Sequence, residues 1–290
     1  MKNIRPLLSA LVTAGVALAQ ATALADTSAN IEGYAVNSAV VYDGGGNFPI
    51  VTAVLSQPGT VDGYTYTSYA YFAADPYGSL DIFYSSSLVN SANWLALGGT
   101  SSYVPTVGDQ ILVNGNWSPF DGIPEVANSA AHPISVQLGS QANPPYNPVP
   151  VVTTIPTINV GTTLPNGGGV NASGLAGTLV QLNNVTIGSS GNFPTHNNLT
   201  TTVSDGVNSM TLYFWASSYS TIGAMGGTPI PDGTVDITGF VDDFYTSSSN
   251  TTSAEFVPIS ITEVPEPSAM ALCGLGSALA WVGYRLRKKA

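Results

Sequence analysis

The sequence predicts a mostly-β protein built from two consecutive domains. The chain has 31 Gly, 20 Pro and 14 Tyr, and only 8% of its residues are charged. Gly, Ser and Asn favour turns, Val, Thr and Tyr favour strands, and helix formers such as Lys, Glu and Arg are scarce. Hydrophobic residues make up 44% of the chain, which is enough for packed cores and argues against disorder.

Four short blocks recur in the same order along the chain, which indicates a duplicated domain. The motif Gly-Asn-Phe-Pro occurs at 46–49 and again at 191–194. The predicted first domain is therefore 26–138, and the second is 158–263. A proline-rich linker at 139–157 should be extended. The other paired blocks are 75–84 with 205–214, 111–117 with 235–241, and 133–136 with 258–261.

Each half shows the same order of elements: three strands, a short helix and two further strands. This is the order of the OB-fold, a five-stranded and partly open barrel. The alternative is a β-sandwich or jelly roll, which has similar strand lengths and turns. The predicted strands are 31–42, 64–73, 79–85, 110–117 and 123–138 in the first half, and 175–187, 199–204, 209–216, 234–241 and 254–262 in the second. The predicted helices are 88–97 and 219–225.

The last hairpin of the first half resembles one found in OB-like domains of secreted bacterial proteins. Gly115 ends the strand alternation there, and Phe120 and Gly122 form an aromatic-x-Gly turn into the last strand. The second half departs from this pattern, because Asp242 and Asp243 lead into a Ser/Asn/Thr loop without the turn glycine.

The first 25 residues have the organisation of a secretory signal peptide, which predicts export. A short basic region precedes an apolar segment that is too short to span a bilayer, and small residues stand at the positions that signal peptidase reads. Cleavage is expected before Asp26. The basic residues are Lys2 and Arg5, and the small residues are Ala23 and Ala25.

The C-terminal residues 264–289 combine a Pro-Glu-Pro motif, an apolar segment at 268–284 and a basic end at 285–289. The apolar segment is at the lower limit for a transmembrane helix. The basic end should stay cytoplasmic by the positive-inside rule. The motif residues are Val264, Pro265, Glu266 and Pro267, and the basic residues are Arg285, Arg287, Lys288 and Lys289.

In this order the three parts resemble the PEP-CTERM sorting signal. The resemblance implies a Gram-negative bacterium in which signal peptidase and an exosortase process the chain. It implies a precursor anchored transiently in the inner membrane and a mature form at the cell surface or outside the cell. It also implies an exopolysaccharide or biofilm setting. The alternative is a plain C-terminal anchor without processing.

The charge distribution bears on the partners of the exported part. All six Lys and Arg residues lie in the two terminal segments, so 6–284 contains none. Nucleic-acid affinity depends largely on cations that neutralise phosphates, so we expect no nucleic-acid partner. The single cysteine, Cys273, lies in the tail, which leaves the exported part without disulfide or thiol chemistry. We expect no cofactor.

Residues suited to catalysis or metal binding are few, and we predict no catalytic or metal site. His132 and His196 have no spacing that indicates a ligand pair. Asp242 and Asp243 are adjacent and would point to opposite faces of a strand. The segment 43–47 is expected to form a hairpin and not a cation site.

Aromatic residues are the candidate contacts with a glycan, although packing inside the barrel is the favoured interpretation. Tyr64 and Tyr66 share one strand face because the side-chain period of a strand is two. Trp117 and Phe120 lie beside the last hairpin of the first half. Exposed rings at these positions would stack on sugars; the alternative is that they pack inside the barrel.

The sequence therefore predicts an exported, non-enzymatic surface or matrix protein associated with exopolysaccharide. Two alternatives stay open. One is a carbohydrate-binding module, and the other is a secreted hydrolase with paired carboxylates.

Processing at both ends has a direct readout. We expect the exported protein to begin at Asp26 and to lack the residues after about Pro267, as measured by intact mass of material recovered outside the cell. Ala25→Arg should block the first cut, because signal peptidase needs a small residue there, and should shift the N-terminus back to Met1. An exported protein that still contains residues 268–289 would contradict exosortase processing.

Overall fold

The computed structural model describes residues 26–61, 64–100, 103–120, 123–139, 148–163, 170–171, 173–215, 225–246 and 251–265. Strands dominate these residues and helices are short, which confirms the mostly-β prediction.

The short helices are α1 (Ser28–Glu32), α2 (Ala92–Ala96) and α3 (Ile155–Ile158), and 3-10 turns occur at Gly44–Gly46 and Ser86–Leu88. The strands are β1 (Ala39–Tyr42), β2 (Ile50–Ser56), β3 (Gly59–Val61), β4 (Tyr64–Tyr66), β5 (Ser68–Asp75), β6 (Gly78–Ser85), β7 (Ile111–Trp117), β8 (Glu125–Ala127), β9 (Ser135–Leu138), β10 (Val151–Thr153), β11 (Thr162–Thr163), β12 (Val170–Asn171), β13 (Leu179–Ile187), β14 (Leu199–Ser204), β15 (Ser209–Phe214), β16 (Val235–Thr246) and β17 (Thr251–Glu263).

The first sheet has the strand order β1-β7-β8-β6-β5-β2, and β9 pairs with β7. Strands β6 and β8 are parallel. The bridge between Ile50 and Gln110 brings β2 back to the start of β7, and the Val51 amide donates to the Asp109 carbonyl at 2.9 Å. The sheet therefore curls back on itself, and we call it the first barrel.

The second sheet has the strand order β10-β13-β14-β15-β17-β16, and β16 pairs back onto β13. Strands β15 and β17 are parallel. We call this sheet the second barrel. If β2, β5, β6, β7 and β8 are counted as strands one to five of the first barrel and β13 to β17 as those of the second, the two barrels have the same connectivity. In each, the third strand pairs in parallel with the fifth, and the fourth strand returns to the first. The connectivity has the features of an OB-like barrel.

Three of the four repeat blocks fall on equivalent strands. The block pair 75–84 and 205–214 contains β6 and β15, the third strand of each barrel. The pair 111–117 and 235–241 lies on β7 and β16, which are the fourth strands. The pair 133–136 and 258–261 reaches β9 and β17, which pair with those fourth strands.

Each barrel has an apolar interior, and the second core also includes the outer face of the first barrel. The first interior is filled by large aromatic residues such as Tyr71, Trp94 and Trp117, which are fully buried. Phe72 of β5 instead belongs to the cluster of the second barrel. Its ring stacks on Phe240 with centroids 4.2 Å apart. The two barrels therefore share one continuous apolar contact.

The structure corrects several predicted elements of the first half. The strand expected at 31–42 begins as helix α1, because the Thr27 side chain accepts from the Asn30 amide and caps a helical turn. The strand expected at 123–138 is interrupted by a turn in which the His132 amide donates to Ser129 Oγ. The sequence does not predict strand β2, because this strand is buried on both faces and its residues do not alternate between apolar and polar. The helix expected at 88–97 is shortened to α2.

Two further predicted segments also differ. The segment 43–47 is a 3-10 turn in which the amides of Gly45 and Gly46 donate to the Asp43 carboxylate. Within the predicted extended linker, residues 151–153 pair in parallel with β13 and α3 follows them, so this part is tied to the second barrel. Residues 140–147 of the predicted linker and 219–224 of the predicted helix lie outside the described residues.

In the part of the chain that the structure describes, no helix combines the length and the apolar character needed to cross a membrane. The predicted transmembrane segment 268–284 and the signal peptide lie outside the described residues.

The ring contact between the barrels predicts a large stability effect. Phe72→Ala should lower the free energy of unfolding by about 3–5 kcal/mol, because it removes a buried ring and leaves a cavity at the shared contact. Denaturant unfolding of the purified chain measures this. Tyr77→Ala is the matched control, because the Tyr77 side chain is 64% exposed. Equal small effects of both changes would contradict the shared core.

Candidate functional site

A cavity of about 330 Å³ lies between the two barrels. A volume of this size suits one small ring-bearing molecule. The first barrel contributes residues of β2, β5, β6 and β8, and the second contributes residues of β15, β16 and β17. We call it the junction cavity. Its lining comprises Leu55, Ala70, Phe72, Asp81, Phe83, Phe120, Ile123, Glu125, Tyr213, Trp215, Asp242, Asp243, Phe244 and Glu255.

Strand alternation in β6 explains how the first barrel presents polar groups to the cavity. Leu80, Ile82 and Tyr84 point into the first core. The side chains between them, Asp81 and Phe83, therefore point outward to the junction. Asp81 has Glu125 of the parallel strand β8 as its register partner, so two carboxylates stand side by side.

The second barrel adds a matching pair of carboxylates from the opposite wall. Asp242 of β16 lies directly across from Glu255 of β17. Asp242 shares its strand face with Phe240, the ring that stacks on the first barrel, and with Phe244. Asp243 also lines the cavity.

The aromatic residues form the rest of the wall. Phe83, Phe120 and Phe244 are 42%, 60% and 53% exposed, although most residues around them are buried. Trp215 and Tyr213 meet edge to face with centroids 6.0 Å apart. The cavity is thus bounded by ring surfaces and carboxylates.

Burial raises the pKa of three of the cavity carboxyl groups, those of Asp81, Asp242 and Glu255. Burial raises the pKa of Asp81 to about 7. Burial and the nearby charge of Asp81 raise the pKa of Asp242 to about 8, and the charges of Glu255 and Asp243 act in the same direction. Burial also raises the pKa of Glu255. No Lys or Arg occurs within the described ranges to offset these charges.

Two of these carboxyl groups are left with a buried oxygen that has no partner. Asp81 is only 8% exposed. Within the described residues, no group donates a hydrogen bond to Asp81 Oδ1 or Asp242 Oδ1. An unpaired buried polar atom is costly, and such atoms in native proteins commonly mark a site for a ligand, ion or water.

The outer face of the second barrel leads into this cavity. Thr200, Thr202 and Thr211 point away from the second core together with Tyr213, as the alternation of β14 and β15 requires. In the first barrel the equivalent outer face of β5 and β6 is covered by the second barrel through Phe72. In OB-folds this face is a usual binding surface. Only the second barrel presents it openly.

The predicted aromatic contacts are placed in different environments. Trp117 is fully buried in the first core, so its ring offers no stacking surface. Phe120 is exposed and lines the junction cavity. Tyr66 is half-buried on β4, which pairs with β3 in a separate hairpin. Tyr64 is the first residue of the same strand.

The other predicted residues do not converge. His132 and His196 are absent from the cavity lining. Among the described residues, no group of three or more His, Cys, Asp or Glu is arranged to hold a metal ion. Of the sorting motif, Val264 and Pro265 follow β17, whereas Glu266, Pro267 and the basic end lie outside the described residues.

Sequence reasoning missed the carboxylates that meet at the junction. A signal for them exists, since Asp81, Asp242 and Glu255 each stand next to an apolar residue inside a strand. A charged residue in such a strand needs a partner or a special environment. The electrostatic interaction between Asp81 and Asp242, however, depends on how the two barrels pack.

No family model matches this chain, and no curated protein matches it either. Solved structures do show similarity. A murine DNA-binding protein bound to double-stranded DNA has a TM-score of 0.34 and 9% identity, and the match covers 78% of this chain and 100% of that one. A HINa domain in complex with double-stranded DNA has a TM-score of 0.35 and 9% identity over 77% and 93%. A replication protein A heterotrimer bound to single-stranded DNA has a TM-score of 0.29 and 10% identity over 85% and 53%.

The predicted association with exopolysaccharide and the predicted lack of a nucleic-acid partner find no support among these solved structures, which are all described as bound to DNA. These two predictions are withdrawn. The carbohydrate-binding and hydrolase alternatives are withdrawn with them. TM-scores this low carry no argument about what this chain itself binds.

The raised pKa values predict how stability depends on pH. The folded state holds protons on Asp81 and Asp242 that the unfolded state has already released above about pH 5, so the free energy of unfolding should fall as pH rises toward 8. Asp81→Asn and Asp242→Asn should each make the free energy of unfolding less dependent on pH. Between about pH 5 and pH 7 the slope should be smaller by about 1.4 kcal/mol per pH unit in each variant. Denaturant unfolding at a series of pH values measures the slope.

The control for this series is Asp232→Asn, because Asp232 is exposed and lies outside the cavity. Its slope should match the unmodified chain. Stability that rises from pH 5 to pH 8, or that has the same slope in Asp81→Asn, would show that the junction carboxylates are ionised in the folded protein.

Proposed function

We propose that this chain is an exported binding protein, and not an enzyme, whose two OB-like barrels hold a small ligand in the junction cavity. The single observation that carries this proposal is the buried Asp81 carboxyl, which lines an aromatic-walled cavity and whose Oδ1 has no hydrogen-bond partner among the described residues. A group of this kind in a cavity is a candidate binding residue.

The composition of the cavity supports binding over catalysis. Among its described lining residues there is no Ser, Cys, His or Lys, so a Ser–His, Cys–His or lysine nucleophile is not available there. The aromatic rings and carboxyl groups instead supply apolar area and a few polar contacts, as small-molecule sites do.

The route by which the protein reaches its site of action belongs to the same proposal. The signal peptide at 1–25 and the tail at 264–289 support export through an inner-membrane-anchored precursor, with the mature form at the cell surface or outside the cell. The resemblance to the PEP-CTERM signal supports processing by an exosortase.

A fragment screen by ligand-observed NMR tests the binding site. We expect small ring-bearing compounds to bind the purified chain, and Trp215→Ala and Phe83→Ala to weaken the best of them about tenfold or more by removing wall surface. Tyr77→Ala is the control, because its exposed side chain lies outside the cavity. Hits that both cavity variants bind unchanged would contradict the junction site.

A single-stranded oligonucleotide is included as a separate arm, since the similar solved structures are described with DNA. Oligonucleotide binding that is insensitive to the cavity variants, with no small-molecule hit, would replace the proposed ligand by nucleic acid.

A further inference from the structure

We propose that the ligand of the junction cavity is an organic cation with an apolar or aromatic body, of the size of a substituted ammonium or guanidinium compound. This inference rests on the proposed function and adds the chemical class of the ligand. The Asp81 carboxyl would form the ion pair, and the rings around it would contact the rest of the molecule.

The first step concerns charge. The cavity is lined by Asp81, Glu125, Asp242, Asp243 and Glu255, and the described residues contain no Lys or Arg. A set of desolvated acids without a cation attracts positive charge and repels anions. A ligand that brings the missing cation would relieve the mutual repulsion of Asp81 and Asp242.

The second step concerns the apolar walls. Phe83, Phe120 and Phe244 expose large parts of their rings at the cavity, and Trp215 stands beside Tyr213. The face of an aromatic ring attracts cations that lie within about 6 Å, and the attraction is strongest for weakly hydrated organic cations in desolvated sites. Ring walls and carboxylates together therefore fit an ammonium or guanidinium group with an apolar body.

The third step separates this ligand from a metal ion. A hard cation such as Ca²⁺ needs six to eight oxygen ligands that converge on one point. The described acids do not converge in this way. Four of the five belong to two cross-strand pairs, Asp81 with Glu125 in the first barrel and Asp242 with Glu255 in the second. The space between the walls suits a molecule and not a bare ion.

Proton release should accompany binding. The titratable groups near Asp81 on the packed elements are Tyr71 of β5, Glu125 of β8, Tyr213 of β15, Asp242 and Asp243 of β16, and Glu255 of β17. All of them are acids, so a bound cation favours their ionised forms. The cation should therefore bind more tightly as pH rises through about 7 to 8, where Asp81 and Asp242 give up their protons.

Isothermal titration calorimetry with benzyltrimethylammonium tests the inference, because this probe keeps its charge at every pH. We expect weak binding, with a Kd on the order of 1 mM, and an affinity that rises about tenfold or more between about pH 6 and pH 8.5. Benzyl alcohol and benzoate carry the same ring without the positive charge and should bind at least about tenfold more weakly.

Asp81→Asn and Asp242→Asn should each reduce the affinity for benzyltrimethylammonium about tenfold at pH 8.5, and Asp232→Asn should leave it unchanged. Thermal unfolding of each variant confirms that it is folded. Equal or tighter binding of benzyl alcohol or benzoate at the cavity would overturn the cation assignment and leave the proposed function standing. Binding of Ca²⁺ that excludes the probe would also overturn it. If no ring compound binds, both proposals fail.

Discussion

The contact between Phe72 and Phe240 is the interaction on which the rest of the structure depends. It joins the outer face of β5 to β16, so the apolar cluster of the second barrel extends onto the first. Two small barrels with separate cores would leave this face in water. Because the rings stack, the neighbouring residues on the same strands are brought together, and the junction cavity forms beside the contact.

The same packing determines the chemistry of the cavity. Asp81 stands on β6 next to β5, and Asp242 is two residues beyond Phe240 on β16. Once the rings meet, acids from both barrels must share one desolvated space. Their raised pKa values follow from burial and from one another's charge, since the described part of the chain supplies no lysine or arginine. Such a cluster of buried acids is unfavourable for folding by itself, and a cationic ligand would complement its charge.

The duplicated architecture also has an asymmetry with a functional consequence. The barrels share their connectivity, but the open face of one is buried against the other. The second barrel retains Thr200, Thr202 and Thr211 on its outer face, and this face continues to Tyr213 and the cavity. The first barrel thus supports the second by packing against it, and the second barrel presents an open outer face.

The sequence by itself determined the β class, the two-fold repeat and most strands, because alternation and turn residues act locally. The sequence did not predict strand β2, since a strand buried on both faces has no alternating pattern. The burial of Trp117 and the meeting of Asp81 with Asp242 were decided only by the tertiary structure. Such contacts join residues far apart in the chain, and their energies depend on packing between barrels that no local pattern encodes.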